Sequence, residues 1–247
     1  IITTDLQYLG KALFQQVNDT TDYIVVGGGA SGCALTSRLL KSNNEVSLFE
    51  AGHSHHNFLL DVPAGFFKLI NDSKYMTYHK TLPQEHLGDR ENIIPQGNVL
   101  GGGTSVNSQI YMRGRPQDYN EWDEILRFNN DTTSWAWDDL LPYFINIENN
   151  SRLDNQFHGK SGPLMVSDSS HIDQLTKDFI NTVKELGVPC TDDFNGSSQS
   201  GVGFYQFMNR GGKRSSAAYV FISPEKNNPK LDVKLNSNIE KIIIEKN

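Results

Sequence analysis

Apolar positions along the chain fall into two patterns, short continuous runs and helix-spaced stripes. Tyr23 to Val26 is a β-branched run of the kind buried in a parallel sheet, and Leu35, Leu39 and Leu40 mark one face of a helix behind it. Glu45 to Phe49 reads as a second strand, so residues 21 to 52 form a strand–turn–helix–strand unit. Trp135, Trp137, Leu140, Leu141, Tyr143 and Phe144 have helical spacing and read as core, with Pro142 expected to bend or interrupt that helix. Leu231 to Leu235 reads as a strand, Asn236 to Asn238 as a turn, and the residues after it as one more strand. These elements predict an α/β fold whose doubly wound sheet is incomplete in this chain: its strands would leave apolar edges that some further segment must cover.

The turn inside the first unit carries candidate chemistry. Gly27, Gly29 and Gly32 form G-x-G-x-x-G, in which the first glycine makes the tight turn, the second admits a pyrophosphate and the third lets helix pack on strand. Ala30 and Ser31 then open the helix, whose amides and positive dipole end favour an anion. Glu50 ends the second strand 18 residues after Gly32, close to the spacing of about 20 at which an acid reaches adenosine ribose hydroxyls. A carboxylate there disfavours a 2′-phosphate. FAD and NAD both satisfy this unit.

A second glycine-rich segment, QGNVLGGGTSVNSQIYMRGRPQDYNEW at 96 to 122, is too organised for a linker. Gly101, Gly102 and Gly103 allow close backbone approach. Thr104, Ser105, Asn107, Ser108 and Gln109 supply donors and acceptors beside that bare backbone, so the loop can wrap a polar, planar ligand.

Composition narrows the alternatives. The net charge of −7 over 247 residues offers no basic surplus for nucleic acid. Cys33 and Cys190 share no metal-ligand spacing, and His53, His55 and His56 lack a carboxylate or cysteine at ligand spacing, so no metal is expected. No stretch approaches the roughly 18 to 20 apolar residues of a membrane span. Asn-x-Ser/Thr sequons begin at Asn18, Asn71, Asn130, Asn149 and Asn195, and the first residues carry no signal-peptide pattern, which leaves secreted and cytoplasmic locations open. Arg113 and Arg115 read as loop-positioning residues, and Lys213 with Arg214 as the cap of a surface turn. No G-x-S-x-G, Walker loop or H-E-x-x-H occurs, which leaves hydrolase, kinase and zinc-protease readings without support.

The two glycine segments resemble those of the glucose–methanol–choline (GMC) oxidoreductases. Gly97 to Asn107 with Tyr111 fits that family's loop G-x-V-L-G-G-[GST]-[ST]-x-x-N, and TDYIVVGGGASG, SWAWDDLLPYF, HGKSGPLMVSD, DFNGSSQSGVGFYQ and GGKRSSAAYVFISP extend the likeness over residues 21 to 245. The choline dehydrogenase, aryl-alcohol oxidase and hydroxynitrile lyase branches look most similar. The resemblance implies a Rossmann-like FAD-binding domain at 21–150, part of an antiparallel-sheet substrate domain at 151–225 and a return to the first domain at 226–247, after an N-terminal extension at 1–20. It resolves the cofactor to FAD. By resemblance, Ala30 and Ser31 face the phosphates, Glu50 and Ala51 meet the ribose, and Val99 and Gly103 lie on the flavin side with Gly102. Asn107, Ser108, Gln109 and Ile110 lie against the isoalloxazine and pyrophosphate, and the Ile239 backbone meets adenine. Val106 stands where some members attach flavin through a histidine, so noncovalent FAD is expected. The implied function is hydride transfer from a primary alcohol to flavin N5. The catalytic histidine would come from a C-terminal portion of the same protein, as the same or a second chain, and no catalytic residue is expected in this one. Cyanohydrin cleavage and a noncatalytic structural role are the alternatives.

Overall fold

The computed structural model describes residues 20–129 and 131–244, gathered into two compact units. One comprises the chain up to Asn107 together with the chain from Ser216 onward, and the other is Ser108–Ser215. The units therefore divide inside the polar run after the glycines, whereas the sequence reading set its boundaries at 150 and 225. No Pro- or Ser-rich linker marks the crossing, which is why composition did not reveal it. The extension expected at 1–20 lies, except for Thr20, outside the described residues, as do Asn18 and Asn130.

In the first unit, β1 (Tyr23–Val26) pairs parallel with β2 (Val46–Phe49), and the Leu231–Lys234 strand pairs parallel along the other side of β2. Central β2 buries Val46, Ser47 and Leu48. At the edge, β1 buries only Val25, and Tyr23, Ile24 and Val26 are about half exposed rather than core. Between β1 and β2 runs α1 (Ala30–Lys41), with Arg38 and Lys41 in its last turn where the dipole favours cations. Its buried face is Cys33, Thr36, Ser37 and Leu40. Leu39 packs beside them, but Leu35, expected on that face, is 51% exposed. Small side chains face inward because the helix lies close on the sheet, which turns Leu35 away. Leu100, Ala217, Ala218 and Ile222 complete this core.

Two short helices follow, α2 (Phe58–Asp61), capped by the Asn57 side chain, and α3 (Phe66–Leu69). A two-stranded antiparallel ribbon comes next, β3 (Met76–Lys80) on β4 (Ile93–Gly97), which the sequence reading did not foresee. Leu60, Leu69, Tyr75, Met76, Val99 and Val106 make a second, smaller core beneath it. The turn after Leu235 forms as expected: Asn236 has φ +51, and the Asn236 and Ser237 amides donate to Gly52 O and Glu50 O at 3.0 and 2.9 Å. Residues 239–244 form no strand, a correction to the reading of a further strand, because no neighbouring strand pairs with them among the described residues.

The second unit begins with α4 (Pro116–Phe128), whose first-turn Asp118 pairs with Arg115 at 2.7 Å. Next, α5 (Trp137–Ile147) runs through Pro142 unbroken, against the expected bend or interruption. Packing of Trp137 and Phe144 on Tyr119, with ring centroids 5.6 and 5.8 Å away, holds the helix despite the lost donor. Trp135 precedes α5 and Tyr143 is 73% exposed, so the expected aromatic core is narrower than the spacing implied.

The sheet of this unit is mixed: β5 (Glu148–Asn150) is parallel to β6 (Leu164–Asp168), which α6 (Gln174–Glu185) follows, and β7 (Gln206–Phe207) is antiparallel to β6. A hairpin of β8 (Asn209–Arg210) and β9 (Lys213–Arg214) turns at Gly211 and Gly212, both at positive φ. Arg214 is 4% exposed, with its pKa pushed down to about 10 by burial, so it is an interior residue and not a surface cap. Arg113 is also interior. Its guanidinium meets Glu148 at 2.7 Å with both side chains essentially inaccessible, and donates to Phe157 O at 2.5 Å.

Candidate functional site

The glycine turn has the backbone its spacing requires. Gly27 sits at φ +95 and donates to Phe49 O at 2.8 Å, bending the chain off β1 into α1. A Cβ at Gly32 would lie 1.9 Å from Gly27 O, so only glycine lets helix and strand approach this closely. Gly29 is the N-cap of α1, and no side chain caps the helix. The first-turn amides of Ala30 and Ser31 therefore face outward at an exposed helix start, the polarity that attracts an anion.

The second glycine segment docks on the first, about seventy residues away in sequence. Gly101 donates its N–H to Gly28 O at 2.6 Å, and Leu100 donates to His53 O at 2.9 Å. With Gly101 at φ +91 and Gly102 at φ +52, a Cβ on Gly102 would come within 3.0 Å of Gly29 Cα. The contact is thus glycine on glycine. Its supports are side chains: the Thr104 hydroxyl donates to Gly101 O at 2.6 Å and accepts from Ala217 N at 2.9 Å, and the Ser105 hydroxyl donates to Leu100 O at 2.8 Å. Cys33 donates its thiol to Gly28 O at 3.1 Å, and burial pushes its pKa up to about 12.

Glu50 closes the arrangement. Oε2 accepts Gly28 N–H at 2.7 Å and Oε1 accepts Gly52 N–H at 2.8 Å, tying the end of β2 to the turn. Each carboxylate oxygen keeps a second lone pair for a ribose hydroxyl.

Together these segments wall a cleft of about 910 Å³, toward the upper end of the roughly 300–1,000 Å³ common for ligand sites. Gly27, Gly29, Ala30, Ser31, Gly32, Glu50, Ala51, Gly102, Gly103 and Ile239, all singled out in the sequence, line it. Val99, Thr104 and Asn107 do not: Val99 is fully buried in the smaller core, and Thr104 spends its hydroxyl on the loop. Ser108, Gln109 and Ile110 open the second unit, where Gln109 is 2% exposed at φ +67 and accepts from the Asn209 amide at 3.0 Å. The sequence reading missed Thr77, His79, Gln96 and Asn98, which line the cleft from the β3–β4 ribbon and its continuation. The alternation of Thr77 and His79 along MTYHK was the available signal.

Of the histidine cluster, His55 is buried with Nε2 2.9 Å from Ser223 Oγ, and burial followed by the neighbouring His56 lowers its pKa to about 4. Among the described residues, no group of three or more His, Cys, Asp or Glu is placed to hold a metal ion, and no helix is long and apolar enough to cross a membrane.

The cleft fits a dinucleotide. At Gly29 and Gly103 an added Cβ would meet nothing within 4 Å, so both glycines leave their space to the cleft, whereas Gly32 serves packing. Parallel sheet, glycine turn and uncapped helix together define a Rossmann-like dinucleotide-binding unit. The family description "GMC oxidoreductase" matches residues 21–247, and the chain belongs to the GMC oxidoreductase family. It is 36% identical over 226 residues to an alcohol dehydrogenase [acceptor] of Pseudomonas putida, covering 91% of this chain and 40% of the relative. An oxygen-dependent choline dehydrogenase of Rhizobium etli is 33% identical over 204 residues, 82% of this chain and 36% of that protein. Among solved structures, the pyridoxine 4-oxidase from "Mesorbium loti" superposes with a TM-score of 0.78 at 28% identity, over 88% of this chain and 42% of that one. The chain thus spans about 40% of the length of these relatives.

Proposed function

We propose that this chain is the FAD-holding portion of an oxidoreductase acting on the CH–OH group of an alcohol. The observation that carries the reading is the Gly101 to Gly28 hydrogen bond, which joins the two glycine-rich segments into one cleft at the uncapped start of α1. In this reading Ala30 and Ser31 donate their amides to the diphosphate, Glu50 and Ala51 meet the adenosine ribose, and Ile239 borders adenine. Gly102 and Gly103 offer bare backbone to the cofactor, with Asn107 toward its flavin end. Val99 and Thr104 hold that loop from behind.

FAD supplies the hydride acceptor when bound. Val106 is 5% exposed within the smaller core and offers no nucleophile, which supports noncovalent attachment. The base that takes the alcohol proton belongs to sequence outside this chain, and the Ser108–Ser215 unit is part of a substrate domain. The names of the relatives favour alcohol oxidation over cyanohydrin cleavage. An absorbance spectrum of the full-length protein, followed by anaerobic addition of a panel of primary alcohols, tests the reading. Oxidised-flavin bands that bleach with an alcohol support it, and bands that never bleach, or no flavin at all, overturn it. Flavin that stays with the protein after denaturation would overturn the noncovalent part alone.

A further inference from the structure

The cleft is short of positive charge for the ligand proposed. Among the described residues lining it, the ionisable side chains are Glu50 and His79, and neither Lys nor Arg faces it. A dinucleotide diphosphate is anionic, and the helix start offers only about half a positive charge plus its amides. Glu50 adds negative charge, held in place by two backbone N–H groups.

Among the described residues lining the cleft, the second wall carries a ring N–H donor, on His79. Thr77 and His79 are two residues apart on β3 and share the cleft face, with Gln96, the register partner of Thr77, beside them. Lys80, the next residue, turns to the other face of the ribbon and pairs with Glu91. That alternation removes the ammonium from the cleft and leaves the imidazole in it.

Building on the FAD reading, we propose that His79 is a cofactor-binding residue whose ring donates a hydrogen bond to the diphosphate alongside the α1 amides. The diphosphate is then clasped between backbone amides and one imidazole, and the ribbon becomes part of the nucleotide site.

The test is titration of the full-length protein, stripped of cofactor, with FAD, ADP and adenosine. For His79→Leu, which removes the donor, the expected result is about tenfold weaker binding of FAD and of ADP, the scale of one charge-assisted hydrogen bond, with adenosine binding unchanged. His79→Lys should recover most of the loss, since it returns an N–H donor to that wall. Unchanged FAD and ADP binding in His79→Leu would overturn the proposal. So would an equal loss for adenosine, which marks a disturbed wall and not a phosphate contact. Wild-type protein that binds no FAD would instead overturn the reading of the function itself.

Discussion

Glu50 and Gly28 are joined at the base of the cleft by a 2.7 Å hydrogen bond from the glycine amide to Oε2, while Oε1 takes Gly52 N–H at 2.8 Å. One carboxylate thereby fixes the glycine turn, the end of β2 and the strand of chain leading to His53. Glu50→Gln keeps the size but replaces one acceptor oxygen with a donor, so one buried N–H must face an NH2 group. The expected cost is about 1–3 kcal/mol, the penalty of an unsatisfied buried donor, together with weaker FAD binding. Thermal unfolding of the full-length protein with and without added FAD checks this; an unchanged melting temperature would show that the clasp contributes nothing.

The glycines separate into two kinds that mutation should tell apart. At Gly32 an added Cβ would sit 1.9 Å from Gly27 O, so Gly32→Ala must push α1 off the sheet. At Gly29, with φ −76 and open space around the added atom, alanine is sterically tolerated by the chain itself. Gly32→Ala should therefore lose soluble folded protein. Gly29→Ala should fold with a melting temperature like that of the wild-type apoprotein yet bind FAD at least tenfold more weakly, because its methyl occupies cofactor space. Equal behaviour of the two variants would contradict the assignment.

How far these features could be read beforehand depended on how local their causes are. Tyr23–Val26, the glycine turn, α1 and Val46–Phe49 lie within one short stretch, and each glycine answers a steric demand of its neighbours, so the pattern displays them. Leu35 and Pro142 were misread because packing decides them: Leu35 faces the cleft since Gly32 draws the helix close, and α5 holds through Pro142 on aromatic contacts to Tyr119. Arg214 reads as part of a surface cap, and the burial of Arg113 goes unseen, because burial of a charge depends on partners far along the chain. Arg113 finds Glu148 35 positions away. The ribbon carrying His79 has five-residue strands, one interrupted by Pro95, and leaves most of its side chains exposed, so no buried face marks it in the sequence.

Cysteine chemistry offers a probe of the glycine turn. Cys33 is fully buried with its thiol bonded to Gly28 O, and burial holds its pKa near 12, so almost no thiolate is present at neutral pH. Cys190 is exposed. Brief alkylation of the native full-length protein followed by peptide mapping should label Cys190 and spare Cys33, with Cys33 reacting only after denaturation. Native labelling of Cys33 would mean that the turn opens far more readily than its packing implies.

The buried network of the second unit should give the protein a pH window of stability. Glu148 Oε1 lies 3.0 Å from His158 Nδ1, Asp193 Oδ2 lies 3.0 Å from Nε2, and Arg113 meets Glu148 at 2.7 Å. A ring flanked by a carboxylate at each nitrogen must donate from both, so His158 is an imidazolium, and two anions face two cations. Burial opposes its charge, but the hydrogen bonds to Asp193 and Glu148, and then their charges, outweigh that and raise its pKa above 6.5. Burial likewise opposes ionisation of Glu148 and Asp193. Hydrogen bonds from His158, backed by Asn150 and Gly159 for Glu148 and by the Asn195 amide for Asp193, nevertheless hold both below their ordinary range.

The signs follow from which state binds the proton more tightly. The histidine contribution is complete below 6.5 and is lost as pH rises through its raised folded value. The carboxylate contributions are complete above their ordinary values, 4.5 for Glu148 and 3.8 for Asp193, and are lost as pH falls through the lowered ones. Stability from this network is therefore greatest between about pH 5 and 6.5. His158→Gln should remove the alkaline limb and, by leaving two buried carboxylates to one guanidinium, cost about 3–5 kcal/mol inside the window. Denaturant unfolding of the full-length protein from pH 4 to 9 checks this. A wild-type profile that keeps rising above pH 7, or a His158→Gln profile parallel to it, would show that the ring is neutral in the folded protein.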